Sequence, residues 1–402
     1  MPFGPAGKAL GEKAMADETR IEPLTVAGNR LTLLVDGPER LEALIGLIDG
    51  AERSLRILYY IWEDDASGQR VRDALLAAIR RGVTVSLLVD GFGTANASEA
   101  FFQPLVDAEC RFCRFVPRFG RRYLLRNHQK LALADERRVI IGGFNIADEY
   151  FGTIESGAWR DLGLLVEGDE VAGVAPYFDD LFTWADRTDA RIRDLRRILN
   201  RRRAAGGKLK WLFGGPTRRL SPWARAVRRD MRGARRLDLI AAYFAPGPAL
   251  LRRSANVARR GAVRLVTAAK SDNNATIGAA RHTYWVLLRR GVRVFEYQRT
   301  KLHTKLFVLD DVVHIGSANF DMRSLYLNLE MMLRVDDPAF AAAMRRFVDG
   351  EIADSVEITL DAYRRRRSWL NRLRWGFAYF LLAIADYRIS HRLNFRSEPM
   401  AD

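Results

Sequence analysis

The sequence predicts an α/β protein made of two similar halves, each a mixed β-sheet flanked by helices. Two observations support this fold class. A strand-helix-strand pattern occurs early in the 402-residue chain and returns later. Each copy is followed by an alternating apolar stretch that carries the same polar residues at the same spacing. Because 48% of the residues are hydrophobic, a chain of this length can form two or three domains.

The first copy begins with residues 55–62, an apolar run that predicts a buried strand. Apolar residues at helical spacing follow at 71–81, and residues 83–89 predict a second strand. Gly82 lies between them, where a helix commonly ends in a left-handed residue. The segment therefore predicts a β-α-β unit.

The second copy has the same layout. Residues 237–244 predict a strand, a helical stretch runs to Arg260, and residues 262–267 predict the next strand after Gly261. An Arg-Arg-Gly turn thus ends the helix in both copies, and a third such turn lies at 289–292. This recurrence indicates an internal repeat.

Residues 187–215 join the two copies, and their arginines and glycines are typical of an exposed connection, with the domain boundary near Gly206. Within it, the basic aromatic stretch 208–213 could contact lipid or cover a sheet edge. The predicted organisation is an N-terminal extension at 1–26, a first half at 27–205, a second half at 206–360 and a basic, aromatic tail at 361–402.

The charge balance indicates an anionic partner. The formal net charge of +16 suits lipid headgroups and nucleic acid equally well. Cys110 and Cys113 form a lone C-x-x-C, which could be half a metal site or a redox pair. A structural role within a strand is favoured, because no second pair of ligands exists. Residues 1–20 lack the apolar segment of a secretory signal. The longest uncharged apolar run, 375–385, has 11 residues where a membrane-spanning helix needs roughly 20, so we expect neither a signal peptide nor a transmembrane helix.

Each half contains a histidine, a lysine two residues later and an aspartate five residues after that. These motif residues are His128, Lys130 and Asp135 in the first half, and His303, Lys305 and Asp310 in the second. In a strand, residues i and i+2 point to the same face, so each histidine and lysine can reach one common site. Small-residue turns that contain Asn145 and Asn319 follow, and such turns let backbone and amide approach a phosphate. The other three histidines, His282, His314 and His391, have no such surroundings and are expected to be structural.

The doubled pattern His-x-Lys-x4-Asp, each time followed by Gly-(Gly or Ser)-x-Asn, resembles the signature of the phospholipase D superfamily. The resemblance covers residues 55–335. Segments 243–246, 271–272 and 324–330 are similar to its cardiolipin synthase branch. The resemblance implies two phospholipase D-type halves related by a pseudo-twofold axis, with one active site at their interface.

The resemblance also implies roles for single residues. His128 would attack phosphorus to form a phosphohistidine, while His303 would protonate the leaving alcohol and later deprotonate the acceptor. The residues expected to hold the phosphoryl oxygens are Lys130, Lys305, Asn145, Asn319 and Ser317. Asp161 and Glu330 are expected to accept a hydrogen bond from the far nitrogen of each imidazole. Asp135 and Asp310 complete the two catalytic motifs. For these two aspartates, a role in ordering the motif is favoured over contact with the substrate.

The two halves differ in two places. The second turn is one residue shorter, because five residues separate Asp310 from Gly316. Asn328-x-Glu330 has no identical counterpart in the first half, so we take Asp161 as its equivalent. Elsewhere no cluster has metal-ligand spacing, and the superfamily's chemistry resembles a metal-free one, so we expect no metal and no cofactor.

The composition of the tail indicates the class of substrate. Four arginines at 364–367 stand beside Trp369, Trp375 and further aromatic residues, which suits an interfacial helix on anionic lipid; the alternative is packing on the catalytic core. The expected partners are therefore anionic phospholipids and a membrane surface, without nucleic acid, and a monomer is possible. The expected location is peripheral, on the cytoplasmic face of a bacterial inner membrane.

The resemblance implies that two phosphatidylglycerol molecules give cardiolipin and glycerol. A hydrolytic phospholipase D that releases phosphatidic acid is the alternative. A nuclease or another phosphodiesterase is the third possibility, since the net charge also suits DNA phosphates.

Overall fold

The structure is a computed structural model that describes residues 21–116, 125–201, 207–217 and 220–385. The expected domain boundary at Gly206, His391 and the segments 1–20 and 386–402 lie outside the described residues.

Strands form two large sheets and one short pair. The strands of the first large sheet are β1 (Leu24–Val26), β2 (Asn29–Leu34), β3 (Ser54–Tyr59), β4 (Thr84–Asp90), β5 (Arg111–Phe115), β6 (Leu131–Ala134), β7 (Arg138–Gly142) and β8 (Gly163–Glu167). The later strands are β9 (Leu209–Gly214), β10 (Arg236–Ala241), β11 (Phe244–Ala245), β12 (Ala262–Ala268), β13 (Arg293–Tyr297), β14 (Lys305–Leu309), β15 (Val312–Gly316), β16 (Phe320–Asp321), β17 (Glu330–Asp336) and β18 (Ser355–Glu357). Of these, β11 and β16 form the short pair, and the others form the second large sheet.

Helices connect the strands and cover the sheets. Those of the first half are α1 (Gly37–Asp49), α2 (Ala66–Arg80), α3 (Glu99–Asp107), α4 (Asp148–Phe151), a 3-10 turn (Asp169–Val174), α5 (Ala175–Asp186) and α6 (Ile192–Arg201). Those of the second half are α7 (Pro222–Asp230), α8 (Pro248–Arg260), α9 (Asn274–Leu288), α10 (Met322–Tyr326) and α11 (Pro338–Ala353). The tail contains α12 (Leu360–Arg366), α13 (Trp369–Tyr379) and a π-helical turn (Phe380–Ala385).

Both large sheets are mixed and have matching strand orders. The first sheet runs β1-β2-β8-β7-β6-β3-β4-β5, with β3, β4 and β5 parallel to one another. The second runs β18-β13-β12-β10-β14-β15-β17-β9, with β10, β12 and β13 parallel. Seven strands of one sheet thus have counterparts in the other, and β3 and β6 correspond to β10 and β14. The predicted fold of two similar α/β halves is confirmed.

A shared apolar core joins the halves. One face of each sheet points into it, together with α5 and α11, and the central strands contribute Leu131, Ile141, Leu164, Leu306, Ile315 and Leu333. The outer face of the first sheet packs on α1 to α3, and that of the second on α7 to α9. The two sheets therefore lie inside and the helices cover both outer faces, which fixes the ends of the central strands relative to one another.

Local interactions explain where elements begin and end. Helix α2 starts at Ala66, five residues before the predicted start, because the Asp65 carboxylate accepts the backbone N–H of Gly68 as an N-cap. Gly82 has the predicted left-handed backbone, with φ of 90°. Gly261 is extended instead, with φ of −174°, and a Cβ there would overlap the carbonyl of Arg235.

Two segments expected outside the sheets are strands. Residues 24–26 of the expected N-terminal extension form β1 and pair with β2. Within the expected connection, β9 pairs with β17 at the edge of the second sheet, and Leu209, Trp211 and Phe213 point into the core. Of the two alternatives for this basic aromatic stretch, the structure places it at a sheet edge.

The tail packs one face of α13 on the second half. Gly278 of α9 leaves space for Ala378, Trp375 stacks on Tyr363, and the Tyr379 hydroxyl donates to the carbonyl of Pro246 over 2.8 Å. The exposed apolar residues of the tail are Trp369, Leu370, Leu373, Phe377, Phe380 and Leu381. Among the described residues, no helix is both long and apolar enough to cross a bilayer.

Candidate active site

Both histidines lie at the junction of the two halves. His128 precedes β6, and His303 precedes β14, the corresponding central strand. The backbone N–H of His128 donates to the carbonyl of Leu329 over 3.0 Å, and that of His303 donates to the carbonyl of Arg160 over 2.7 Å. Each histidine is therefore fixed by backbone of the opposite half, and the two motifs form one site.

Each imidazole is hydrogen-bonded to a carboxylate of the opposite half. His128 Nδ1 lies 3.1 Å from Glu330 Oε2, and His303 Nδ1 lies 2.6 Å from Asp161 Oδ2. Because a carboxylate accepts, it holds the proton of a neutral imidazole on Nδ1 and leaves the lone pair on Nε2. This is the tautomer in which Nε2 can attack phosphorus or take a proton.

Serine hydroxyls hold Glu330 in place. Ser317 donates to Oε2 over 2.5 Å and Ser324 donates to Oε1 over 2.7 Å. Ser317 was expected to contact a phosphoryl oxygen, whereas its hydroxyl is directed at this carboxylate. Ser324 stands in a segment that carries the family resemblance, but its sequence context gave no sign of this contact.

The backbone of Leu162 and the side chain of Arg40 hold Asp161 in place. Its Oδ1 accepts the N–H of Leu162 over 2.7 Å, and the buried guanidinium of Arg40 donates to the Asp161 carbonyl over 2.8 Å. A Cβ at Gly143 would overlap the carboxylate, so this glycine makes room for it. Arg40 was missed because a single arginine in the first turn of an amphipathic helix carries no signal of burial.

Both motif lysines are buried within the site. Lys130 Nζ donates to the carbonyl of His128 over 2.8 Å, and Lys305 Nζ donates to the carbonyl of His303. Burial lowers the pKa of Lys130 well below its ordinary value and lowers that of Lys305 to about 8. Among the described residues, no carboxylate forms an ion pair with either ammonium. The pair can therefore receive an anion such as a phosphodiester.

The histidines are neutral at pH 7 in this setting. Burial lowers the pKa of His128, and it lowers that of His303 to about 4, with Lys305 acting in the same direction. Burial alone would raise the pKa of the Asp161 carboxyl, but Lys305 and His303 bring it below its ordinary value, so Asp161 is ionised. A bound phosphodiester would offset the lysine charges and make protonation of an imidazole easier.

The two asparagines fix matching loops. Asn145 Oδ1 accepts the N–H of Ile61 over 3.2 Å, and Asn319 Oδ1 accepts that of Tyr243 over 3.4 Å. Asn145 Nδ2 also donates to the Tyr150 hydroxyl over 2.9 Å. Each amide nitrogen carries two N–H groups, so Asn145 keeps one N–H for a phosphoryl oxygen.

Aromatic rings enclose the imidazoles. The ring of Tyr60 lies 5.1 Å from that of His128, and Trp159 and Tyr150 lie 5.2 and 5.4 Å from His303. These rings pack around both imidazoles and were not predicted.

The motif aspartates are not brought together with the histidines. Asp135 lies in the turn at the opposite end of β6, where its carboxylate accepts the N–H groups of Glu52, Arg53 and Ser54. Asp310 occupies the matching turn and accepts the N–H groups of Arg235 and Arg236. Their geometry orders the hairpins, which is the role that the sequence favoured.

No group of His, Cys, Asp and Glu able to hold a metal occurs in the described part of the chain. Cys110 and Cys113 are buried and form no disulfide, and Cys113 lies on β5 as predicted.

The fold and this site define a phospholipase D-type protein with two fused halves. Among solved structures, phosphatidylserine synthase of Haemophilus influenzae Rd KW20 matches with a TM-score of 0.70 and 14% sequence identity, covering 94% of this chain and 99% of that one. Polyphosphate kinase of Porphyromonas gingivalis matches with a TM-score of 0.55 and 16% identity, over 85% of this chain and 52% of that one. At these identities the likeness concerns the fold alone.

The family is shown by sequence. The profile described as "Cardiolipin synthase, PLD-like domain" matches residues 44–179 and 228–350, and the chain belongs to this family. Cardiolipin synthase B of Escherichia coli (strain K12) is 30% identical over 365 residues, which cover 88% of both chains. Cardiolipin synthase 2 of Bacillus anthracis is 30% identical over 346 residues, 83% of this chain and 66% of that protein, so the present chain spans about two thirds of this longer relative.

Proposed function

We propose that this protein transfers a phosphatidyl group from one phosphatidylglycerol to a second, giving cardiolipin and glycerol through a phosphohistidine. The observation that carries the proposal is the pair of histidines, each hydrogen-bonded to a carboxylate of the opposite half, beside two buried lysines. Relatives named as cardiolipin synthases support the substrate class.

In the first step, Nε2 of His128 attacks the phosphorus of the donor lipid. A P–N bond forms while the bond from phosphorus to the headgroup oxygen breaks, and the Nε2–H of protonated His303 gives its proton to that oxygen. Free glycerol leaves, and the phosphatidyl group stays on His128. The 2.6 Å bond from Asp161 stabilises the imidazolium of His303 before the proton is transferred.

In the second step, the terminal hydroxyl of another phosphatidylglycerol attacks the same phosphorus. Nε2 of His303 takes the hydroxyl proton, the new P–O bond forms and the P–N bond to His128 breaks. Cardiolipin results and both histidines return to their starting protonation. Lys130 and Lys305, with an N–H from Asn145 and Asn319, offset the charge on the phosphoryl oxygens in both steps.

The test is product analysis on phosphatidylglycerol vesicles with wild type, His128→Ala and His303→Ala. We expect the wild type to form cardiolipin and glycerol in equal amounts, and both variants to lose activity while their unfolding temperatures stay close to that of the wild type. Phosphatidic acid without cardiolipin would instead establish a hydrolase. No lipid turnover would refute the proposal and direct attention to DNA substrates.

The protein is proposed to act at the surface of an anionic membrane, on the cytoplasmic face in bacteria. The outer face of α13 is apolar, with Trp369, Leu373 and Phe377 each more than half exposed. Arginines at 364–367 lie beside it, so apolar burial and attraction to anionic headgroups act together. Cys110 and Cys113 form no disulfide, which fits a reducing compartment.

Vesicle sedimentation tests this surface. A Trp369→Ser, Leu373→Ser, Phe377→Ser variant should bind phosphatidylglycerol vesicles roughly a hundredfold more weakly, because three large apolar side chains no longer enter the interface. The matched control replaces two exposed valines elsewhere, Val106→Ser with Val356→Ser, and should bind like the wild type. Equal binding by all three proteins would show that α13 only covers the second half.

A further inference from the structure

A surface cavity of about 560 Å³ lies between the two halves, and its lining includes Lys301, two residues before His303. The first half contributes a loop after α4, and the second half contributes the loops after β12 and β13. The residues that line the cavity and carry charge or hydrogen-bonding side chains are Glu155, Lys270, Ser271, Asn274, Arg299, Thr300 and Lys301. None of them belongs to the repeated motifs.

The cavity is basic. Arg299 pairs with Glu155 and with Asp354, at 3.2 and 3.4 Å, so its single positive charge is taken up by these two carboxylates. Lys270 donates to the carbonyl of Arg299 over 3.0 Å, and Lys301 lies over the ring of Trp159. Neither lysine forms an ion pair with any described carboxylate. Two ammonium groups are therefore available to an anion.

The N-terminus of α9 adds to this positive field. This helix has 15 residues, and its first residue, Asn274, lines the cavity. Asn273 caps this terminus by accepting the N–H of Ala275 over 3.0 Å, so the helix contributes chiefly through its dipole, whose positive end favours negative charge. The neighbouring carboxylate of Asp272 is already engaged by the hydroxyls of Tyr243 and Ser271, at 2.7 and 2.9 Å.

Trp159 connects the cavity to the reaction centre. Lys301 Nζ lies 4.8 Å from the centre of this ring, and the imidazole of His303 lies 5.2 Å from it. The ammonium is thus within about 10 Å of the imidazole, because both distances share one ring. Trp159 thus lies between the cavity and His303.

We infer that this cavity binds the phosphodiester of the acceptor lipid, an inference that rests on the proposed function. In the second step the acceptor hydroxyl must lie against His303, and its own phosphate follows after the glycerol backbone. Six bonds separate the two phosphorus atoms of the product, and a chain of six bonds reaches roughly 7 Å. With the phosphate oxygens added, this length falls within the upper bound of about 10 Å between the His303 imidazole and the Lys301 ammonium. Water and simple alcohols have no such phosphate and gain nothing from the cavity.

Competition between acceptors tests the inference. The enzyme is given phosphatidylglycerol vesicles in buffer that contains ethanol, and cardiolipin, phosphatidylethanol and phosphatidic acid are measured together. The variant is Lys270→Gln with Lys301→Gln. The control is Arg252→Gln with Arg259→Gln, two exposed arginines of α8 whose loss changes the net charge equally.

The variant should lower the ratio of cardiolipin to phosphatidylethanol roughly tenfold, because charged hydrogen bonds to the acceptor phosphate are lost. Its total rate of glycerol release should stay near that of wild type, and the control should keep the wild-type ratio. An unchanged ratio in the variant, or an equal fall of all three products, would overturn the inference. If the wild type makes no cardiolipin, the proposed function fails first, and the two failures are thereby distinguished.

Discussion

The two carboxylates that orient the histidines should respond differently to replacement by their amides. In Asp161→Asn, one oxygen becomes an NH2 group. That group cannot face the N–H of Leu162, which now donates to Oδ1 over 2.7 Å, because two donors would meet. It must therefore take the place of Oδ2, 2.6 Å from His303 Nδ1. His303 then accepts at Nδ1 and holds its proton on Nε2, which is the wrong tautomer for a base.

Glu330→Gln lacks this conflict. The partners of Glu330 besides His128 are the hydroxyls of Ser317 and Ser324, and a hydroxyl can rotate to accept as well as donate. The amide can therefore keep its oxygen towards His128 Nδ1. We expect Glu330→Gln to lose roughly tenfold to a hundredfold in rate. Asp161→Asn should lose roughly a thousandfold to ten thousandfold, as expected when an imidazole is held in the wrong tautomer.

The measurement is the initial rate of cardiolipin formation on phosphatidylglycerol vesicles, with thermal unfolding as the control for folding. Asp161→Ala serves as a further comparison, because it removes the opposing NH2 group and should be more active than Asp161→Asn. Equal losses in the two amide variants, or a less active alanine variant, would refute the tautomer argument.

Three further outcomes are expected. Gly143→Ala should lose about a hundredfold in rate, because its Cβ displaces the Asp161 carboxylate. The control is Gly46→Ala, where a Cβ meets nothing within 4 Å. Equal activity of the two variants would contradict the argument. Arg40→Met should lower the free energy of unfolding by about 3 kcal/mol in urea titrations, since buried carbonyls lose their donor; a change under about 1 kcal/mol would contradict it. As pH rises through about 8, kcat/KM should fall because Lys305 of the free enzyme loses its proton. The fall in kcat should come only at higher pH, since bound phosphate raises the pKa of Lys305. A flat kcat/KM profile to about pH 10 would exclude the role of this ammonium.

Much of the fold could be predicted because its signals are local. The strands at 54–59 and 236–241 and the helix that ends at Arg80 follow from short apolar patterns and an Arg-Arg-Gly turn. The sequence left β9 open between lipid contact and a sheet edge. Its neighbour β17 is distant in sequence, and a basic stretch with three buried side chains also fits an interfacial segment. The start of α2 was misplaced because the cap at Asp65 precedes the apolar pattern.

The tail shows a similar division. Its composition indicated an amphipathic helix that must bury one face, and α13 buries Ala378 and Tyr379 against the second half. Composition could not distinguish membrane contact from packing on the core. In the structure, one face of α13 packs on the second half and the other exposes apolar residues. Both occur because the contact with α9 covers only part of the circumference of α13.

The sequence by itself determined that each half contributes a histidine and a lysine two residues apart, because this spacing is read from the chain alone. The reason expected for it was wrong, since His128 and His303 lie just before β6 and β14 and not within a strand. The sequence also determined the repeat, and with it two copies of the motif. Only the tertiary structure decided that the carboxylates are exchanged between halves, that Ser317 holds Glu330, and that a basic cavity adjoins His303. These contacts join residues far apart in the chain, so they depend on how the two sheets pack around their shared core.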